Sequence, residues 1–89
     1  MYKVYLLESI SEKKWYVGYT PGNVLDRLKK HNSGQVQSTK AYKPWKLIYC
    51  EVYVNRSDAT GREKFLKSGS GRNFLKKQLK NYLGSLGEE

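Results

Sequence analysis

The stretch Tyr2-Lys3-Val4-Tyr5-Leu6-Leu7-Glu8-Ser9-Ile10-Ser11-Glu12-Lys13-Lys14-Trp15-Tyr16-Val17-Gly18-Tyr19-Thr20 decides the fold. Residues 2–9 and 14–20 are rich in aromatic and β-branched side chains, the composition of strands. Between them Ile10-Ser11-Glu12-Lys13 is short and mostly polar, so a hairpin is the simple connection. Pairing Tyr5 with Tyr16 sets Leu6 opposite Trp15 and Val4 opposite Val17. One face then carries Lys3, Tyr5, Leu7, Lys14, Tyr16 and Gly18; the other carries Val4, Leu6, Trp15, Val17 and Tyr19. The second is a core face. The first mixes apolar, basic and phenolic groups, as a site does. Side chains alternate along a strand, so a one-residue slip would exchange the two faces.

Beyond the hairpin, Thr20-Pro21-Gly22-Asn23 is turn chemistry, and Thr20 or Asn23 opens a helix. Val24, Leu25 and Leu28 are its apolar stripe. Arg27 and His31, four apart, share a face. Asn32-Ser33-Gly34 ends it. Residues 35–43 lack periodicity and read as a polar, basic loop. Residues 45–54 form a third strand, with Trp45 read as packing rather than as a base-stacking platform. Asn55, Ser57 or Asp58 caps a second helix that runs to about Lys67, where Ser68-Gly69-Ser70-Gly71 interrupts it. A third helix follows from Arg72, with Phe74, Leu75, Leu79, Tyr82 and Leu83 at helical spacing. Residues 84–89 are expected to fray. With no internal repeat or linker, the expectation is a single α/β domain over residues 1–83 in the order β-β-α-β-α-α.

A chain of 89 residues is one domain in length. At this size only about 60–70% of the unfolded surface is buried, so the core is thin. Seventeen Lys and Arg against eight Asp and Glu give a net charge of +9. From Arg56 to Lys80 alone there are eight bases and two acids. A solvated helical face would carry such charge, but the sign asymmetry is better explained by a polyanionic partner. Lys3, Lys14, Lys30, Lys40, Arg62, Lys67 and Arg72 are the candidate nucleic-acid contacts. The single cysteine, Cys50, lies in the apolar run 47–53 and reads as a small core residue, with no Cys/His cluster to suggest structural zinc. No apolar run approaches 18 residues and no charged-then-apolar leader is present, so the expected location is cytoplasmic, without membrane association.

On the second helix Ala59, Glu63 and Leu66 fall on one side. A carboxylate beside apolar neighbours needs a salt bridge or a metal. Arg62 and Lys67 are available partners, so a structural ion pair explains Glu63 equally well. Arg27 and His31 also fit bases on an exposed helix, and Tyr5 and Tyr16 taken singly fit packing residues. Composition and periodicity alone therefore reach a basic α/β nucleic-acid binder.

Val4-Tyr5, followed by Tyr16-Val17-Gly18 and then by Leu25-x-Arg27-Leu28-x-x-His31-Asn32-x-Gly34, resembles the GIY-YIG nuclease domain. The later run Arg62-Glu63-x-x-Leu66-Lys67-Ser68-Gly69-x-Gly71-Arg72 is similar to that family's acidic helix and its continuation. The likeness spans residues 2–80, with the motifs in the family's order. It implies an α+β fold: a small, mostly antiparallel three-stranded sheet flanked by helices. Such domains occur in homing endonucleases, in some restriction enzymes, at the front of the bacterial excision-repair nuclease, and as short standalone proteins, which this chain most resembles.

The activity implied is hydrolysis of a phosphodiester, in DNA more than RNA, with structure-specific cleavage in repair or recombination as one form of it. The family position matching Tyr5 activates or orients the attacking water, assisted by those matching Tyr16 and His31. Arg27 would pair with the scissile phosphate. Glu63 would hold a single Mg²⁺ or Mn²⁺, placed to neutralise the leaving oxygen. An unperturbed phenol has a pKa of about 10, so this chemistry needs neighbours that favour phenolate: the metal, Lys3, Lys14, or His31 relaying a proton. Three positions depart from the pattern. Lys3 stands where the first motif has glycine, Gly22 lengthens the span between Tyr16 and Arg27 by one residue, and Asn73 aligns imperfectly with a family asparagine. Tyr19, Thr20, Ser38 and Thr39 are candidates to contact phosphate or order the site, each equally a loop or capping residue. The alternative function is a non-catalytic nucleic-acid binding module on the same fold, and a protein partner that supplies specificity is a further expectation.

Overall fold

A computed structural model describes residues 1–86. Strand β1 (Tyr2–Ser9) lies at the centre of a three-stranded sheet, antiparallel to β2 (Trp15–Thr20) on one side and to β3 (Trp45–Tyr53) on the other. Its central place follows from its composition. Val4, Tyr5, Leu6 and Leu7 are all buried, which requires cover on both faces of the strand. Four α-helices supply that cover among the described residues: α1 (Val24–Asn32), α2 (Arg56–Leu66), α3 (Gly69–Gln78) and α4 (Lys80–Leu86). The molecule is thus the expected α+β arrangement.

The hairpin register differs from the expected one by two residues: Tyr5 pairs with Gly18, Leu6 with Val17 and Leu7 with Tyr16. The turn is the reason. Ser9 and Lys14 close it through a backbone hydrogen bond of 2.8 Å, with Lys13 in a left-handed conformation at φ 57°. The Ser9 hydroxyl also accepts from the Glu12 amide at 3.1 Å. Residues 10–13 therefore form the expected four-residue connection, and its closure between Ser9 and Lys14 brings Gly18, not Tyr16, opposite Tyr5. Because the shift is even, both faces keep the side chains assigned to them.

Each long helix begins on a side-chain cap. The Asn23 side-chain oxygen accepts from Leu25 and Asp26 at 2.8 and 3.3 Å, and Asn55 does the same for Ser57 and Asp58. Ser68 caps α3 by accepting from the Gly71 amide at 3.1 Å. Ser68-Gly69-Ser70-Gly71 thus starts a helix, correcting the expectation that it separates one helix from another beginning at Arg72. The expected third helix is in fact two, broken at Leu79, whose φ and ψ of −103° and 22° leave the helical region. The loop at 35–43 contains one 3-10 turn, Lys40–Tyr42. Helix α4 runs through Leu86, taking in the start of the segment expected to fray; residues 87–89 lie outside the described residues.

Two apolar layers sandwich the sheet. On one face Val4, Leu6 and Val17 pack with Ala59, Leu66 and Leu75 of α2 and α3. There Arg62 reaches across to β3, donating to both carboxylate oxygens of Glu51 at 2.8 and 3.0 Å while lying over the rings of Phe65 and Phe74. On the other face Tyr5, Leu7 and Trp45 pack with Val24 and Leu28 of α1. Cys50, paired with Tyr5 across β3, is exposed, which corrects its expected place in the core. The apolar cluster of that face draws on β3 only at Trp45 and Leu47, and Val52 further along the same edge strand is 55% exposed.

Gly71 sits at the closest approach of α2 and α3: a Cβ there would strike the Phe65 carbonyl oxygen and the Leu66 backbone. We expect Gly71→Ala to destabilise the fold by about 1–3 kcal/mol. Gly61→Ala, on an open stretch of α2 with nothing within 4 Å, should stabilise it by up to about 1 kcal/mol. Urea midpoints of the two variants test this, and equal shifts would contradict the packing.

Candidate active site

Tyr5 projects from the middle of β1 with its ring laid across Gly18, and any Cβ at Gly18 would fall on that ring. Glycine in the Tyr16-Val17-Gly18 motif is therefore required by a side chain on the neighbouring strand. Opposite the ring, α1 delivers His31 in its last turn. Val24 and Leu28 seat this helix against the sheet, and Asn32 fastens its end to β3. The Asn32 carboxamide accepts from the Trp45 amide at 2.6 Å and donates to the Trp45 carbonyl at 2.9 Å.

The result is a buried chain of polar groups. The Tyr5 hydroxyl is 2.9 Å from His31 Nε2, and His31 Nδ1 is 2.8 Å from Thr39 Oγ1. His31 and Thr39 are both fully buried, and Tyr5 is 1% exposed. The directions of these bonds follow from their surroundings. Arg27 carries only donors, so beside it the Tyr5 oxygen accepts and its proton points at Nε2. At the other end Thr39 donates to the Val36 carbonyl at 3.4 Å, leaving its oxygen to accept from Nδ1–H. His31 is thus a neutral imidazole with the Nε2 lone pair turned to Tyr5.

Electrostatics agree. Burial, followed by the charge of Arg27, lowers the His31 pKa to about 4. Burial raises the Tyr5 phenol above its ordinary value; Arg27 opposes the rise, and nearby Tyr16 and Glu63 add to it. At neutral pH both groups are uncharged. Tyr16 flanks the imidazole, with ring centres 5.1 Å apart. Glu63 on α2 pairs with Lys67 at 3.0 Å, and the Lys67 ammonium lies 5.9 Å from the Tyr16 ring centre. Tyr5, Tyr16, Arg27 and His31 therefore meet at one place, and Glu63 on α2 bears on Tyr5 through its charge.

The Arg27 guanidinium differs from the others. Its Nε is buried without a hydrogen-bond partner, and Arg27 makes no ion pair among the described residues. No group of three or more His, Cys, Asp or Glu side chains that could hold a metal occurs among the described residues.

The remaining candidates are dispersed. Lys3 donates to the Gly22 carbonyl at 2.8 Å and Lys14 lies over the Tyr42 ring at 4.3 Å, so neither is drawn to the phenol. Lys30 and Lys40 are exposed, and Arg62 is bound to Glu51. Arg72 lies over Trp15, and Asn73 is exposed on α3. Tyr19 is on the opposite face, stacked with Tyr2 and accepting from Arg56 at 3.2 Å. Asn32 and Gly18 were visible as motif residues, but nothing in the sequence assigned them a function.

Compared with models of known families, residues 1–81 match the GIY-YIG catalytic domain. The chain belongs to the GIY-YIG family. Its GIY-YIG relatives include a UPF0213 protein of Pediococcus pentosaceus, 42% identical over 66 residues that make up 70% of this chain and 68% of that one. A UPF0213 protein of Staphylococcus haemolyticus is 35% identical over 74 residues, 82% of this chain and 88% of the other. The solution NMR structure of a UPF0213 protein from Bacillus halodurans is 33% identical and aligns over 97% of this chain and 85% of that chain, with a TM-score of 0.49. GIY-YIG proteins are a nuclease family, and nucleic acid is the partner that membership implies. No helix among the described residues is long and apolar enough to cross a membrane.

A histidine held neutral at a pKa of about 4 makes stability depend on pH. The unfolded chain binds this proton below about pH 6.5 and the folded chain only near 4. Stability is therefore complete above that upper value and declines as the pH falls through the window. Between pH 7 and pH 4.5 the loss should be about 2–3 kcal/mol. Urea unfolding at the two values measures it, and His31→Gln should remove that part of the slope. An unchanged slope in the variant would contradict the assignment.

Proposed function

We propose that this chain is a divalent-metal-dependent endonuclease that hydrolyses DNA phosphodiester bonds at the Tyr5–Arg27–Glu63 site. The observation that carries the reading is the partly buried Arg27 guanidinium, which lacks an anionic partner beside two neutral groups. A desolvated cation without a counter-charge is costly, and a phosphate diester supplies that charge in a geometry the guanidinium fork matches.

In this mechanism the phosphate binds Arg27, which also stabilises charge developing on its oxygens. The attacking water gives a proton to the Tyr5 oxygen as Tyr5 passes its own to His31 Nε2, while Thr39 keeps Nδ1–H in place. His31 is a weak base at rest because burial and Arg27 depress it. A bound phosphate offsets the Arg27 charge, so substrate raises the basicity of the group that must accept the proton. Tyr16 packs beside the imidazole and limits its movement.

Glu63 fits a hard cation of the Mg²⁺ or Mn²⁺ type, which commonly takes one or two carboxylates and completes its shell with water and substrate phosphate. Glu63 would hold it on releasing Lys67, and the ion when bound would neutralise the leaving oxygen. A small surface for base contacts favours recognition of strand shape, as in repair or recombination substrates, or specificity supplied by a protein partner. Action on DNA goes with a cytoplasmic location.

The Glu63–Lys67 ion pair also supports a second reading, a binding module that needs no metal. Nicking of linear, flapped and branched DNA with Mg²⁺ or Mn²⁺ separates the two. We expect cleavage of at least one substrate, and a loss on the order of 100-fold or more in Arg27→Ala and Glu63→Ala, with folding retained by circular dichroism. An intact panel at saturating metal, with salt-sensitive binding that survives Glu63→Ala, would overturn the nuclease in favour of the module.

A further inference from the structure

On the sheet face opposite Tyr5, a cavity of about 500 Å³ lies between the β1–β2 hairpin and helices α3 and α4. Trp15, Leu83 and Leu86 give it apolar walls, while Lys13, Arg72 and Lys76 bring three cations to it. Its one acid, Glu8, is already satisfied. The Glu8 carboxylate accepts from Trp15 Nε1 at 3.0 Å and the Tyr82 hydroxyl at 2.7 Å, with Lys46 at 3.8 Å, and the residue is 2% exposed. Lys13, Arg72 and Lys76 make no ion pair among the described residues, so among those residues the cations of the cavity have no counter-charge.

We propose that this cavity is a nucleotide-binding subsite that accepts a phosphate at its cations and a flat heterocycle against its apolar wall. Its volume falls in the range of about 300–1,000 Å³ usual for a small ligand, and suits one nucleotide better than an extended peptide. The Arg72 guanidinium lies 5.4 Å from the Trp15 ring centre. A planar cation on an indole combines phosphate pairing with a surface on which a base stacks. The cavity and the candidate active site lie on opposite faces of β2. Trp15 and Tyr16 are adjacent on β2 and point to opposite faces, with Arg72 over the first and Lys67 over the second. A strand crossing the β2 edge would place one phosphate near Tyr16 and a neighbouring nucleotide in the cavity. That strand-bound form rests on the nucleic-acid reading above; capture of a free nucleotide does not.

The test is an amide and indole NMR titration of the full chain in EDTA, so its outcome is independent of nicking. The probes are deoxyadenosine monophosphate, inorganic phosphate, a short single-stranded oligodeoxynucleotide and an oligoglutamate peptide. The monophosphate should shift the Trp15 indole N–H and the amides of Lys13, Arg72, Lys76 and Leu83, and should bind more tightly than phosphate alone. Lys76→Glu, an exposed change that spares the core, and Arg72→Ala should each weaken monophosphate binding, read at the Trp15 indole N–H, about tenfold or more. Tighter binding of the oligonucleotide, with shifts at both Trp15 and Tyr16, identifies a substrate strand as the source; equal affinity identifies a free nucleotide, and both support the subsite. Shifts confined to the surroundings of Arg27 and His31, phosphate matching the monophosphate, or preferential binding of oligoglutamate would overturn it.

Discussion

The hydrogen bond between the Tyr5 hydroxyl and His31 Nε2 is the constraint around which the rest of the site is arranged. It joins the central strand to helix α1, at 2.9 Å and away from solvent. A phenol and an imidazole enclosed together must satisfy one another or lose stability. Each surrounding feature serves that requirement. Gly18 leaves room for the ring, Thr39 takes the second imidazole nitrogen, and the Asn32 clamp on Trp45 fixes the end of α1 from which His31 projects.

Buried charge is treated in two ways in this molecule. Glu51 receives both arms of Arg62 and the hydroxyls of Tyr49 and Tyr53, and Glu8 receives Trp15 and Tyr82. These groups have their partners, and they hold β3 to α2 and α4 to the sheet. Arg27 has no such arrangement. Its Nε is buried and unpaired beside Tyr5 and His31. An unmet donor in native structure costs about 1–3 kcal/mol, and the proposed substrate phosphate would meet it. The same contrast marks the second cavity, where Glu8 is satisfied and Lys13, Arg72 and Lys76 make no ion pair among the described residues.

Much of this was legible in the chain because strand periodicity is robust to an even shift. The division of β1 and β2 into a core face and a Tyr5 face survived a register error of two residues, since the turn length sets the register and alternation sets the face. Arg27 and His31 both come to Tyr5, because they are one helical turn apart on α1. Other features depended on contacts that no local pattern encodes. Cys50 lies in an apolar run, yet the apolar cluster on its face stops short of it on the edge strand. Ser68 looked like part of a break and is a cap. Thr39 sits in a polar loop without periodicity, and only closure of that loop over α1 brings its hydroxyl to the imidazole. Lys3 and Lys14 were placed on the correct face, but their ammonium groups find a carbonyl and a ring away from the phenol.

The central claim is that His31 is a neutral imidazole whose Nε2 accepts the Tyr5 proton while Nδ1–H is held by Thr39. Long-range ¹H–¹⁵N NMR of the imidazole, followed from neutral to acidic pH, reads the tautomer and the protonation equilibrium together. The account requires Nδ1 protonated and Nε2 bare at neutral pH, with titration centred at about 4. A proton on Nε2 at neutral pH, or titration near the ordinary histidine value of about 6.5, would contradict it.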